Sequence, residues 1–242
     1  MYPIDKPVSP LRRRFLIQSG TLLAAAPLIA SMPHVILLGD SIFDNASYTG
    51  GKPAVIDQVK NNLPAGWKVT LLAVDGATTE GIPAQLARLP ADATHLVLSV
   101  GGNNALMRQE ILDKPVRSSA EAFTLFARTV QEFEAAYRKA IAACMKPSLP
   151  LVICTIYNGR FPDPAYQQRV NVAIAGFDDA IIRVGVEKQL KTIELRQICT
   201  SPEDYANPIE PSSVGGEKIA RAIVKAVTEP VGTRRGAQVV AG

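Results

Sequence analysis

The chain has 242 residues, of which 47% are hydrophobic and 20% charged. This length and composition are typical of a globular protein with one domain and short appendages, and they exclude a disordered or fibrous protein. Three of the four net positive charges lie in residues 1–31 and the fourth in residues 229–242. The part between them is neutral, so no basic surface favours nucleic acid as a partner.

Residues 1–31 form a signal-like leader. Three arginines, at 12–14, directly precede an apolar stretch over residues 16–30, a pattern that resembles a twin-arginine export signal. The stretch is shorter than the roughly 20 apolar residues of a membrane span, so we expect no stable span. The sequence thus predicts an exported, periplasmic protein. The alternative is a mis-called extension, with translation starting at Met32 and a cytoplasmic protein.

From Met32 onward, short apolar runs alternate with longer segments of helical period, which predicts a parallel sheet covered by helices on both faces. With right-handed crossovers, this pattern gives a three-layer α/β/α, doubly wound domain over residues 32–228, followed by a flexible tail over 229–242. The strand candidates are residues 35–38, 69–74, 96–100, 151–154 and 192–195, and the helix candidates between and after them are residues 54–63, 82–89, 118–141, 165–186 and 215–227.

The clearest helix lies between the third and fourth strands. Apolar residues recur there at spacings of three and four, and Ser118 with Glu121 offers a capping box. We interpret this stripe as core rather than as a cofactor site; its members are Phe123, Phe126, Val130, Phe133, Tyr137 and Ile141.

Metal and nucleotide sites are not indicated. The three cysteines, at 144, 154 and 199, form no C-x-x-C pair, and the two histidines belong to no zinc-binding pattern. Neither the P-loop pattern nor G-x-G-x-x-G is present. We therefore expect buried free thiols and no cofactor.

Small and polar residues follow the first three strands, at the sheet edge where doubly wound domains bind ligands. Gly39-Asp40-Ser41 presents a serine hydroxyl, Gly76 allows a backbone N–H to approach an oxyanion, and Asn103 in the segment 101–104 supplies an amide donor. Each motif alone also fits a plain turn, and a serine after a strand is often a helix cap. Together they indicate a nucleophile with an oxyanion hole.

Gly39-Asp40-Ser41, Gly76 and Gly101-x-Asn103 resemble the first three sequence blocks of the SGNH (GDSL) hydrolase family. The five strand candidates give a five-stranded sheet, and the resemblance implies a flavodoxin-like α/β/α fold with ester or related acyl hydrolysis through an acyl-serine at Ser41. It also implies an oxyanion hole from the N–H groups of Ser41 and Gly76 and the side chain of Asn103. The third block of the family commonly ends in Asp, whereas this chain has Asn104.

The fourth sequence block of this chain departs further from the family pattern. The family pattern Asp-x-x-His-Pro, with a glycine five residues after the histidine, aligns with residues 207–211 and Gly215, so Asn207 replaces the acid and Glu210 the base. A shifted frame recovers Asp204 as the acid but puts Asn207 at the histidine position and Ser212 at the glycine position. We prefer the first frame.

No histidine can complete a triad, because His34 and His95 begin strands at the opposite sheet edge and are interpreted as structural. Glu Oε and His Nε2 lie equally many bonds from Cα, so Glu210 can reach Ser41 as general base. A Glu base becomes neutral on accepting a proton, which suits an amide partner, and Asn207 can donate to its carboxylate. Burial would have to raise the pKa of Glu210 for this role.

Two functions stay open at this stage. The first is an esterase or lipase-like hydrolase of a small-molecule ester, with Ser41, Glu210 and Asn207 as catalytic residues. The alternative is a non-catalytic pseudoenzyme that keeps the pocket to bind an acyl or carbohydrate ligand. The sequence indicates neither the acyl chain length nor the oligomeric state.

Overall fold

The computed structural model describes residues 32–229 and 238–241. The predicted leader lies outside the described residues, as does most of the predicted tail. None of the helices in the described part of the chain is both long enough and apolar enough to cross a membrane.

A parallel sheet forms the middle layer of the domain, with strand order β2-β1-β3-β4-β5-β6. The strands are β1 (His34–Gly39), β2 (Lys68–Leu71), β3 (His95–Ser99), β4 (Leu151–Cys154), β5 (Lys191–Ile193) and β6 (Gln238–Val240). The predicted doubly wound α/β fold is confirmed, but within the described residues the sheet has six strands rather than five. The additional strand, β6, pairs with β5 and comes from the segment predicted as a flexible tail, where three residues give too short a pattern to recognise.

Helices cover both faces of the sheet. They are α1 (Val55–Asn62), α2 (Ile82–Leu86), α3 (Gly102–Leu106), α4 (Ser119–Met145), α5 (Pro164–Glu187) and α6 (Ser213–Thr228). Side chains alternate along β1, so Val35 and Leu37 pack with α1 and α6, while Ile36 and Leu38 pack with α2, α4 and α5. This alternation produces two separate cores and the predicted three layers.

Helix α4 begins as expected, because Oγ of Ser118 accepts a 3.1 Å hydrogen bond from the N–H of Glu121. Its apolar stripe is core along most of its length, with Phe133 and Tyr137 buried. The first member, Phe123, is an exception, since 70% of its surface is exposed. The interpretation of Phe123 as a core residue is therefore wrong.

The order of the strands reverses between β1 and β3, the position at which doubly wound sheets leave a crevice for ligands. Two contacts hold the end of β1 at this crevice. The N–H of Gly39 donates to Oε1 of Gln85 at 2.8 Å, and Nε2 of Gln85 donates to the carbonyl oxygen of Gly39 at 2.7 Å. The helix α2 is thus connected directly to the strand that precedes Ser41.

Candidate active site

Ser41 lies in a tight turn after β1. Gly39 has a φ of +130°, and a Cβ at this position would overlap the carbonyl group of Ser99 on β3, so only glycine fits. The N–H of Asp40 donates to the same carbonyl oxygen at 3.1 Å. This close approach places Ser41, which is 6% exposed, at the crevice between β1 and β3.

Glu210 and Ser41 are in contact although 169 residues separate them along the chain. Oγ of Ser41 donates a hydrogen bond of 3.1 Å to Oε1 of Glu210. Two side chains anchor the backbone around Glu210: Asn45 donates to the carbonyl oxygen of the following residue, and the hydroxyl of Tyr157 donates to that of the preceding residue. The carboxylate therefore reaches the serine from a segment that is held on both sides.

Asn207 contacts the backbone beside Glu210 rather than its carboxylate. Its Oδ1 accepts hydrogen bonds from the N–H of Ile209 at 2.9 Å and from the N–H of Glu210 at 3.0 Å. The expected donation from the Asn207 amide to the carboxylate is therefore corrected: the side chain caps a turn. Oε2 of Glu210 is buried without a hydrogen-bond partner among the described residues.

Burial raises the pKa of Glu210 from the ordinary 4.5 to about 7. The hydrogen bond from Ser41 lowers this pKa and the negative charge of Asp75 raises it, but desolvation is the largest effect. A carboxyl group with such a pKa exchanges a proton near neutral pH, directly beside the serine hydroxyl. This is the raised pKa that a glutamate base needs, and it arises from burial, which the sequence does not reveal.

Asp40 is a second buried carboxyl group at the site, and it is not among the site residues predicted from the sequence. Burial raises its pKa to about 7, the hydrogen bond from the N–H of Ile42 opposes this, and the charge of Glu210 adds to it. Asp40 and Glu210 are therefore two carboxyl groups of the site whose pKa values are both raised to about 7, chiefly by burial. The middle residue of Gly39-Asp40-Ser41 was the available signal, but burial of its carboxyl group depends on the packed structure.

The two residues predicted to complete the oxyanion hole follow β2 and β3: Gly76 lies in a turn, and Asn103 lies in the first turn of α3. Gly76 has a φ of +76°, and a Cβ there would meet no atom within 4 Å. Nδ2 of Asn103 donates to the carbonyl oxygen of Ala77 at 2.9 Å, which leaves its second N–H for another acceptor. Asn103 lines the same cavity as Ser41 and Glu210, whereas Gly76 is not among the lining residues.

The residues considered as alternative acid or base have other partners. The ring nitrogens of His34 lie within 2.9 Å of Asp92 and 2.8 Å of Thr70, at the sheet edge opposite Ser41. Asp204, the acid of the shifted frame, forms a 2.6 Å ion pair with Lys218. Both groups therefore have structural contacts away from the serine.

The structure gives a physical reason for glycine at position 215, which the preferred alignment matches to the glycine of the family pattern. A Cβ at Gly215 would overlap the backbone carbonyl of Asp204, so the start of α6 packs directly on the segment before Asn207. Glycine at this position lets the loop that carries Glu210 lie close to the helix.

An apolar cavity of about 100 Å³ opens beside Ser41 and Glu210. It extends between α3, α4 and α5 and beneath the short 3₁₀ helix Gln109–Asp113. Its apolar walls include Ile111, Leu112, Phe126, Ile156, Val170, Ala173, Ile174 and Phe177. The cavity is suited to an apolar group attached to whatever Ser41 attacks.

No cysteine is among the residues that the structure describes as lining the cavity at Ser41. Within the part of the chain that the structure describes, no three His, Cys, Asp or Glu side chains are grouped so that they could hold a metal ion. The cysteines at 144, 154 and 199 are free and buried, as predicted.

A parallel α/β/α domain, with a serine after β1 and further polar loops at the same sheet edge, defines the SGNH type of hydrolase fold. The chain belongs to the GDSL-like lipase/acylhydrolase family, whose sequence model matches residues 37–215. No curated protein sequence matches the chain.

Solved structures of lipases and esterases share the fold. An extracellular lipase from Streptomyces rimosus is 14% identical with a TM-score of 0.62, covering 80% of this chain and 99% of its own. A lipase/acylhydrolase from Enterococcus faecalis is 23% identical with a TM-score of 0.54, covering 81% and 95%. An acetylxylan esterase from Geobacillus stearothermophilus is 16% identical with a TM-score of 0.54, covering 84% and 98%.

Proposed function

We propose that the protein hydrolyses carboxylic esters through an acyl-serine at Ser41, with Glu210 as the general base. The observation that carries the proposal is the 3.1 Å hydrogen bond from Oγ of Ser41 to Oε1 of Glu210. A nucleophilic serine needs an adjacent base to accept its proton, and this contact has the geometry of such a pair. Membership of the GDSL-like lipase/acylhydrolase family supports ester hydrolysis as the reaction.

In the first half of the reaction, Oγ of Ser41 attacks the carbonyl carbon of the ester, and its proton passes to Oε1 of Glu210. The N–H of Ser41, the N–H of Gly76 and the amide of Asn103 stabilise the oxyanion of the tetrahedral intermediate. When this intermediate collapses, the ester C–O bond breaks and Glu210 returns the proton to the leaving alkoxide. An alcohol departs and an acyl-serine remains.

In the second half, Glu210 is again ionised and takes a proton from a water molecule, which attacks the acyl carbonyl. A second tetrahedral intermediate collapses, the bond to Oγ of Ser41 breaks, and the proton returns from Glu210 to the serine. The free carboxylic acid then leaves. The reaction consumes one ester and one water and restores the starting protonation of the site.

The raised pKa supports a carboxylate in the place of the usual imidazole. An efficient base has a pKa near the working pH, and an exposed Glu falls well below it. Burial brings the pKa of Glu210 to about 7, close to the ordinary value for histidine. On this proposal Glu210 replaces the usual histidine as the base, and its pKa is still close to the working pH.

The test is hydrolysis of p-nitrophenyl butyrate together with labelling by a fluorophosphonate probe. We expect the wild type to turn over the ester and react with the probe, and Ser41→Ala to lose at least about 10³-fold in kcat and all labelling. Ser47→Ala, at an exposed serine six residues further along, is the matched control and keeps both activities.

A wild-type protein without turnover and without labelling would contradict the proposal. Thermal stabilisation of that inert protein by an ester would then favour the alternative, a binding module that retains the pocket without catalysis.

A further inference from the structure

The loop over residues 74–81 follows β2 and carries Gly76, the second backbone donor of the proposed oxyanion hole. It begins with a tight turn, in which the N–H of Ala77 donates to the carbonyl oxygen of Val74 at 3.0 Å. Among the described residues, the N–H groups of Ser41 and Gly76 donate to no backbone acceptor. Since both groups are left for an oxyanion, catalysis depends on how firmly this loop is held.

Two side chains of the segment after Ser41 hold the start of the loop. Oδ2 of Asp44 accepts a 3.0 Å hydrogen bond from the N–H of Asp75, the residue before Gly76. The hydroxyl of Tyr48 donates to Oδ2 of Asp75 at 2.7 Å. The first half of the loop is therefore connected to the nucleophile turn.

Two consecutive asparagines of α3 hold the second half of the loop. Nδ2 of Asn103 donates to the carbonyl oxygen of Ala77 at 2.9 Å. Oδ1 of Asn104 accepts a 3.1 Å hydrogen bond from the N–H of Thr79, and Nδ2 of Asn104 donates to Oγ1 of Thr79 at 3.0 Å. Thr79 is only 2% exposed, so the side chain of Asn104 binds a buried residue of the loop at two points.

Glu80 is the second partner of Asn104. Its Oε2 accepts hydrogen bonds from Nδ2 of Asn104 at 3.3 Å and from Oγ1 of Thr79 at 2.9 Å. Burial raises the pKa of Glu80, but hydrogen bonds, among them those from Thr79 and Asn104, outweigh it and bring this pKa below the ordinary 4.5. Glu80 is therefore ionised at neutral pH and requires a donor, rather than a second carboxylate, at position 104.

We propose that Asn104, paired with Glu80, is a positioning residue that holds the loop where the N–H of Gly76 binds the oxyanion. Asn104 acts through Thr79 and does not itself contact the substrate. This role rests on the proposed function, since it requires an oxyanion to form at Ser41. The pair also explains why this chain has asparagine where the family commonly has aspartate, because only an amide both accepts from the N–H of Thr79 and donates to Glu80.

The first experiment measures hydrolysis of p-nitrophenyl butyrate at a pH of about 8.5, above the pKa of Glu210. Asn104→Asp keeps an acceptor for Thr79 but sets two carboxylates against each other, so kcat should fall about tenfold while KM stays within about twofold. Adding Glu80→Gln supplies an amide opposite the new carboxylate and should return kcat to within about threefold of the wild type. Asn61→Asp, the same change at an exposed asparagine of α1, should leave kcat unchanged.

Inhibition by butylboronic acid separates positioning of the oxyanion hole from a structural role. Oγ of Ser41 adds to the boron atom while its proton passes to Glu210, and an oxygen of the tetrahedral adduct occupies the oxyanion hole. In Asn104→Asp, the inhibition constant should rise by about the same factor as kcat falls. Lower thermal stability with unchanged kcat and unchanged inhibition would show that Asn104 is only structural and would overturn the inference, with ester hydrolysis intact.

Amide hydrogen exchange tests the position of the loop without any substrate. Asn104→Asp should speed exchange over residues 74–81 by about tenfold, and adding Glu80→Gln should restore the slow exchange, whereas Asn61→Asp should have no effect. If the wild type hydrolyses no ester, the proposed function fails, and the exchange rates still decide whether Asn104 holds the loop. Unchanged exchange in Asn104→Asp, or no recovery in the double variant, would refute the pair as the device that positions Gly76.

Discussion

The N–H of Glu210 donates a 3.0 Å hydrogen bond to Oδ1 of Asn207, three residues earlier in the chain. The side chain of Asn207 therefore positions the proposed base through the backbone. In a Ser-His-Asp triad, by contrast, the acid contacts the base through its side chain. This difference changes which substitutions at residue 207 the site should tolerate.

We predict that Asn207→Ala lowers kcat by about tenfold or more, since the turn that holds Glu210 loses its cap. Asn207→Asp keeps an oxygen acceptor for both N–H groups and should retain most of the activity, with its pH profile shifted upward by the added negative charge. Rates on p-nitrophenyl butyrate across pH 5–9 provide the measurement. If Asp were as damaging as Ala, the amide would be acting as a donor and the capping role would be wrong.

The rate should follow ionisation of the carboxyl group. Because burial raises the pKa of Glu210 to about 7, kcat/KM should fall about tenfold per pH unit below that value and level off above it. Asp40 titrates in the same range, so its ionisation can add to the profile. Glu210→Gln should remove the part of the pH dependence that comes from the base and lower kcat by about 10² to 10⁴-fold.

Glu203→Gln is the control for this variant, because Glu203 is exposed and lies in the same stretch of chain. It should leave both the rate and the pH profile unchanged. A wild-type profile that is flat between pH 5 and 9 would argue against a carboxyl base.

Stability should decrease as the pH rises from about 4 to about 7. The folded-state pKa of Asp40 is about 7, above its ordinary 3.8, so the folded protein binds a proton more tightly than the unfolded chain within this window. Its contribution to the free energy of unfolding is therefore largest at low pH and is lost as the pH rises through 7. Glu210 contributes with the same sign.

Asp40→Asn should flatten this dependence and raise the unfolding free energy at pH 8 by on the order of 2 kcal/mol relative to the wild type. Urea unfolding at pH 5 and pH 8 measures it, with Glu203→Gln as a control that keeps the wild-type slope. The prediction is wrong if wild-type stability increases between these two pH values.

Gly159 is predicted to control the position of the loop that carries Glu210. Its φ is +66°, and a Cβ would lie 2.7 Å from the carbonyl oxygen of Pro208. Gly159→Ala should therefore push this loop, lower kcat by about tenfold, and destabilise the protein by about 1–2 kcal/mol. Gly50→Ala, at a φ of +62° with no atom within 4 Å, carries the same backbone strain and should leave kcat unchanged.

Equal losses of kcat in the two glycine variants would show that backbone strain alone, rather than contact with Pro208, causes the effect. Melting temperatures for both variants separate the stability cost from the loss of rate.

The sequence predicted the fold and the loops of the site because both follow from chain-local patterns. Apolar runs mark parallel strands, and the carboxyl ends of such strands meet at one edge, so the sequence alone assigns Ser41 and Asn103 to the same region. Counting bonds from Cα also indicated that Glu210 could reach Ser41, which the 3.1 Å contact now shows. Whether Glu210 acts as the base stays a prediction.

Other features depended on three-dimensional packing. The side chain of Asn207 could donate to a carboxylate or accept from its own turn, and Pro208 after it is a sequence signal that favours the turn. Burial of Asp40 arises from elements distant in sequence. Exposure of Phe123 could not be foreseen, because helical period indicates which residues share a face but not where that face leaves the core.

The side chain of Gln85 serves as a one-residue extension of the sheet. An amide carries the same donor and acceptor pair as a peptide group, and Gln85 uses both on Gly39, whose carbonyl oxygen also accepts a 3.0 Å hydrogen bond from the N–H of Val74 beyond β2. Two hydrogen bonds at the end of β1 are thus supplied by a side chain of α2, a helix that contains none of the family's sequence blocks. The position of Ser41 is consequently determined in part by Gln85, a residue outside the site that belongs to none of the family's motifs.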